Sequence, residues 1–100
     1  MRFTVDPEAA QELFDATFHY EIEREGLGEA FAREMRQLIR EICENPGAWP
    51  AYTARTRRHR STRFPYAVIY QVLEQEIHVV AIAHGARRPG YWRKRLRRGK

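Results

Sequence analysis

The order of apolar and polar positions along the chain predicts six elements. Arg2–Val5 is short and β-prone, with Phe3 and Val5 on one face. Asp6-Pro7 reads as an N-cap with proline at the first helical position, and Glu8 places an anion where the helix dipole favours it. Ala10, Leu13, Thr17 and Tyr20 then recur at helical spacing, flanked by Phe14 and Phe18, until Gly26-Leu27-Gly28 ends the helix. A second helix begins near Glu29. Its apolar stripe is Phe31, Met35, Leu38, Ile39 and Ile42, its outer side carries a Glu29–Arg33 pair, and Asn45-Pro46-Gly47 stops it. Two helices joined so briefly pack as an antiparallel hairpin.

Trp49–Thr56 reads as a loop with aromatic anchors. Arg57–Arg63 is the next strand, or a loop and strand, and Pro65 marks an irregularity or an edge position. Tyr66–Leu73 is apolar on both sides, as a central strand covered on both faces would be. Glu74-Gln75-Glu76 suits a hairpin turn, and Ile77–His84 repeats the two-sided pattern before Gly85-Ala86 breaks it. The tail from Arg87 predicts a turn and a short helix. The fold class is α+β: an N-terminal strand, an antiparallel helical hairpin, then a three-stranded antiparallel meander completing one twisted sheet. Its 100 residues suit one domain, 1–100, with 93–100 a basic tail charged enough to fray.

Charge sharpens this picture. Residues 1–50 carry five Lys and Arg against eleven Asp and Glu, while residues 51–100 carry thirteen against two. Sixteen of the 18 cations are arginine, the residue suited to bidentate phosphate or carboxylate contacts. So local an excess suits a polyanionic or acidic protein partner, and a merely solvated basic face is the plain alternative. Cys43 is the single cysteine, which excludes an internal disulfide, and its place on an apolar helical stretch suits a buried thiol. No apolar run has the length of a membrane span, and the N-terminus lacks the apolar segment of a secretory signal. A cytoplasmic protein without membrane partners is expected.

No phosphate-cradling glycine loop and no zinc spacing occurs, so neither cofactor nor metal is expected. His78 and His84 share strand parity but lie roughly 20 Å apart, too far to hold one metal. The acidic residues fall mostly on the helices, spaced like solvent-facing charge. The informative group is basic and aromatic: Arg57, Arg58, Arg60 and Arg63 before the central strand, Arg87 and Arg88 after the last, then Tyr91 and Trp92. The sheet order brings both clusters to one end, where guanidinium groups beside aromatic rings suit phosphates and unstacked bases. Tyr91 and Trp92 equally suit pinning the tail to the core.

The chain resembles the RelE/ParE toxins of bacterial type II toxin–antitoxin modules. The resemblance rests on Asp6-Pro7-Glu8, on two helices ending at Asn45-Pro46, and on Arg63-Phe64-Pro65-Tyr66-Ala67-Val68-Ile69-Tyr70. It continues through Ile77–His84 into Arg87-Arg88-Pro89-Gly90-Tyr91-Trp92 and so spans nearly the whole chain. It implies the fold already described, and growth inhibition relieved by a cognate antitoxin bound as a hetero-oligomer. RelE-like members cleave messenger RNA on the ribosome, whereas ParE-like members inhibit DNA gyrase.

Metal-free cleavage needs a base for the 2′-OH, positive charge for the phosphorane and an acid for the leaving oxygen. The candidates are His59, with His84 as the other histidine, then Arg63 and Arg87 for charge and Tyr91 as acid or stacking ring. Arg57, Arg58, Arg60, Arg88 and Trp92 would bind the target. Two departures favour the gyrase branch. Ala67 stands where many RelE-like nucleases carry arginine on the central strand. The basic segment before that strand holds no lysine, and arginine is a poor base near neutrality. A non-catalytic nucleic-acid-binding module and a degenerate toxin that only binds antitoxin remain the other readings.

Overall fold

A computed structural model describes residues 1–98. Strand β1 (Arg2–Val5) leads into helices α1 (Pro7–Glu23) and α2 (Leu27–Glu44), then β2 (Ala51–Thr53), β3 (Thr56–Arg60), β4 (Tyr66–Val72) and β5 (Glu76–His84). One-turn 3₁₀ segments lie at Pro46–Ala48 and Arg93–Arg95. The five strands form one sheet in the order β1-β5-β4-β3-β2, antiparallel throughout except where β1 runs parallel to β5. The predicted α+β architecture holds, with one strand added. The segment Trp49–Thr56, which reads as a loop, contains β2, a three-residue edge strand paired to β3 through Ala51–Arg57 and Thr53–Thr56. Too short for a repeating pattern and preceded by Pro50, it carries no period-2 signal.

The helices form as their caps direct. The Asp6 carboxylate accepts the Glu8 backbone N–H at 2.9 Å, with Pro7 at the first position. Gly26 adopts φ +89° between the helices, a conformation open to glycine at little cost. The stripe on α2 is buried as predicted, from Phe31 to Ile42. On α1 the predicted face is rotated. Ala9 and Ala16 are buried, Leu13 and Tyr20 pack beside them, and Ala10 is exposed. Small residues let α1 approach the sheet closely and turn Phe14, Phe18 and Ile22 to the outer side, 65%, 59% and 69% exposed.

Both faces of β4 and β5 are covered. On the helix side lies the main core, including Val68, Tyr70, Ile77, Val79 and Ile82. On the other side a smaller core joins Ala67, Ile69, Val80 and Ala81 to Trp92, which is 2% exposed. A bulge explains why neighbours Val80 and Ala81 share that second face. Tyr70 pairs with Val79 and Ile69 with Ala81, leaving Val80 as an extra residue. The bulge also corrects the expectation that His78 and His84 share a face. His78 lies under the C-terminal segment, hydrogen-bonded to Gln71, whereas His84 meets the Tyr66 ring on the helix side.

The C-terminal segment lies against the second face. The Gln71 side-chain amide accepts the Arg97 N–H and donates to the Arg97 carbonyl, both at 2.9 Å, as a strand neighbour would. Arg55 also donates to that carbonyl, and the Arg97 guanidinium reaches Glu76 at 2.6 Å. Within the tail expected to fray, Arg95 and Arg97 make contacts to the body of the domain, and the part of that expectation that falls on Gly99 and Lys100 lies outside the described residues. Among the described residues, no helix is long and apolar enough to cross a membrane, and no group of His, Cys, Asp or Glu is placed to hold a metal.

Candidate functional site: an arginine-walled groove

Alternation along β3 divides the basic run between the two faces. Arg58 and Arg60 pair with Ile69 and Ala67 on the face away from the helices, while Arg57 and His59 pair with Tyr70 and Val68 on the helix face. At the end of the sheet where Arg60 pairs with Ala67, the Gly85 N–H donates to the Pro65 carbonyl at 2.8 Å, tying the turn after β5 to the turn before β4. That tie brings Arg87 and Arg88 toward Arg58 and Arg60. The four arginines wall a groove of about 620 Å³ floored by Ala67, Ile69 and Ala83, with Tyr52, Tyr91 and Trp92 also lining it.

Two guanidinium groups rest on aromatic rings, Arg58 over Tyr52 at 4.1 Å and Arg87 over Tyr91 at 3.7 Å. Such stacking orients a cation without neutralising it. No carboxylate lines the groove among the described residues. Its walls therefore present uncompensated positive charge over an apolar floor, an arrangement suited to an anionic or acidic surface with a flat or apolar centre.

The groove gathers Arg58, Arg60, His84, Arg87, Arg88, Tyr91 and Trp92, seven of the ten residues singled out from the sequence. Arg57, His59 and Arg63 lie elsewhere. Arg57 donates to the Trp49 carbonyl at 2.6 Å. His59 is 8% exposed, stacked on the Trp49 ring at 3.6 Å, and its Nε2–H donates to the Glu41 carboxylate at 2.7 Å. Arg63 sits in the β3–β4 turn, above the Phe64 ring at 5.7 Å.

Behind the groove lies a centre that the sequence pattern did not reveal. Glu12 on α1 accepts from the Tyr91 hydroxyl at 2.8 Å, the Ile82 N–H at 3.0 Å and both terminal nitrogens of Arg95 at 3.1 Å. Arg95 also reaches Glu8 at 2.8 Å and the Val80 carbonyl at 3.1 Å. Burial first, then the Glu12 carboxylate, push the Tyr91 hydroxyl pKa well above its ordinary value of 10.0. Glu8 and Glu12, like charges one helical turn apart, repel unless a cation bridges them. That spacing was the available signal, and the arginine tail held the answer.

A helical hairpin on one face of such a sheet is the fold of the RelE/ParE family of type II toxins. The family model described as the ParE toxin of the type II toxin–antitoxin system parDE matches residues 3–89, and the chain belongs to that family. Its fold is similar to a solved chain of the chromosomal ParDE toxin–antitoxin system from P. aeruginosa. The TM-score is 0.74 at 18% identity, over 84% of this chain and 95% of that one. No curated protein gives a significant match.

Proposed function

We propose that this protein arrests bacterial growth by binding DNA gyrase through the arginine-walled groove, acts in the cytoplasm, and is neutralised by a cognate antitoxin in a hetero-oligomer. The supporting observation is the condition of the groups that RNA cleavage would need. His59 is stacked and bonded to Glu41. The Tyr91 proton is engaged by Glu12, and its raised pKa makes the hydroxyl a weaker acid. His84 lines the groove, but its Nδ1 accepts the Ala86 N–H at 2.9 Å, so the neutral ring carries its proton on Nε2 and offers a donor there, not a base. What the groove leaves available is guanidinium charge, which serves binding. The ParE family match supports the same branch.

The test is to induce the protein alone in bacteria and to assay purified protein against gyrase-catalysed supercoiling. Growth arrest, DNA damage and loss of supercoiling are expected, relieved by the antitoxin. Cuts within translated codons, with supercoiling untouched, would replace this reading by ribosome-dependent RNA cleavage. Unaffected growth would sink the toxin reading altogether, and salt-dependent binding to any nucleic acid would then leave a plain binding module.

A further inference from the structure

Strand β5 runs on past the end of β1, whose last pairing is Val5 with Val79. Beyond that point the Ile82 N–H and the Val80 carbonyl have no strand neighbour on that side; Glu12 takes the first and Arg95 the second. The Glu12 carboxylate therefore sits at fixed depth and angle, accepting four hydrogen bonds in all, about as many as a carboxylate can take. One of the four comes from the Tyr91 hydroxyl, and a phenol held at its tip cannot swing about its two side-chain torsions. The Arg87 guanidinium lies on that ring, 3.7 Å from its centre. Arg87 is otherwise exposed, in the turn that follows β5. A free arginine side chain holds rotamer entropy that binding would have to remove.

We propose that Glu12 is a positioning residue for the groove: by holding the Tyr91 hydroxyl it fixes the ring that orients Arg87 toward an incoming target. Glu12 does not line the groove and reaches Arg87 through the Tyr91 ring. The consequence for inhibition rests on the function proposed above; the positioning of Arg87 does not.

Two variants and two measurements test this. Glu12→Ala removes the carboxylate, and Tyr91→Phe removes only the hydroxyl, leaving the Glu12–Arg95 pair to support the fold. In side-chain NMR of isotope-labelled protein, the Arg87 protons of the wild type are shifted upfield by the Tyr91 ring. Both variants should move them toward free-arginine values, and unchanged Arg87 shifts in the two variants would overturn the proposal. In the supercoiling assay, Tyr91→Phe should raise the inhibitory concentration about tenfold, the loss expected when one interface arginine is unfixed. That loss should vanish when Arg87 is already alanine, because the effect passes through Arg87. An equal loss in the Arg87→Ala background would assign Tyr91 a purely structural role and reject the proposal. If the wild type leaves supercoiling untouched, the gyrase reading fails, and the NMR result alone decides whether Glu12 positions Arg87.

Discussion

The Glu12 carboxylate and the Arg95 guanidinium meet in a two-pronged contact, 3.1 Å on each side, across 83 positions of sequence. Their side chains are 17% and 11% exposed, so most of each charge has left water. Removing one partner of so sheltered a pair strands the other. Arg95→Ala should therefore lower unfolding stability by about 2–3 kcal/mol, below the full cost of a wholly buried pair because some solvent reaches it. Urea denaturation reads this directly. Arg95→Lys should recover little, since one ammonium cannot make both prongs. A loss below about 0.5 kcal/mol would mean that the contact adds nothing beyond an ordinary surface ion pair.

Gly28 inverts the usual rule for helical glycine. Replacing glycine by alanine inside a helix ordinarily gains about 1 kcal/mol. Here a Cβ would lie 2.5 Å from the Thr17 carbonyl oxygen and 2.8 Å from the Glu21 Cβ, both on the facing helix α1. The first of these atoms is backbone and cannot step aside. Gly28→Ala should cost about 1–3 kcal/mol, the range of overpacking. Thermal unfolding that shows a gain would mean that the helices separate freely at this point.

His78 should make stability fall in mild acid. Its ring is 1% exposed and hydrogen-bonded to Gln71. Burial, and then the nearby Arg97 charge, depress its pKa below the ordinary 6.5. A folded-state pKa below the unfolded one means that the unfolded chain binds the proton first. The contribution is complete above about pH 6.5 and is lost as pH falls toward the folded value. Urea midpoints at about pH 7.5 and 5.5 should differ in the wild type and differ less in His78→Gln. An equal difference in both proteins would assign the effect to other groups.

His59 should matter to folding and not to inhibition. It bridges the Trp49 ring and the Glu41 carboxylate, and its hydrogen bond is the largest influence holding the Glu41 carboxyl below its ordinary 4.5. His59→Ala should cost about 2 kcal/mol through lost packing and an unpaired acceptor. At temperatures where the variant is folded, its inhibitory concentration should match the wild type. Abolished activity in a folded variant would return His59 to a chemical role.

Legibility followed the origin of each signal. The α2 stripe and strands β4 and β5 were readable because repetitive burial writes a period into the sequence, from Phe31 to Ile42 and from Tyr66 to His84. Arg58, Arg60, Arg87 and Arg88 were readable as a charge excess, and their convergence followed from strand order. The division of Arg57 and His59 from Arg58 and Arg60 depends on strand phase, which a run of polar residues cannot reveal. On α1 the stripe is legible in part, since Leu13 and Tyr20 pack on the core, but Ala9 and Ala16 take the place expected for Ala10, because an alanine carries too little side chain to mark which face is buried. Glu12 looked like solvent charge because its partners lie in the tail.

The extra residue at Val80 acts as a phase shifter for everything downstream. Along β5 the odd count turns the chain over once, so the turn carrying Arg87 leaves the sheet on the side where β3 displays Arg58 and Arg60. Deleting that single residue would restore an uninterrupted pleat and keep the composition almost unchanged. Every side chain after it would then emerge on the opposite face, separating the two halves of the groove. Length in this strand is therefore under tighter constraint than the identity of its aliphatic residues. Substitutions among valine, isoleucine and leucine should be absorbed there, and a one-residue insertion or deletion should not.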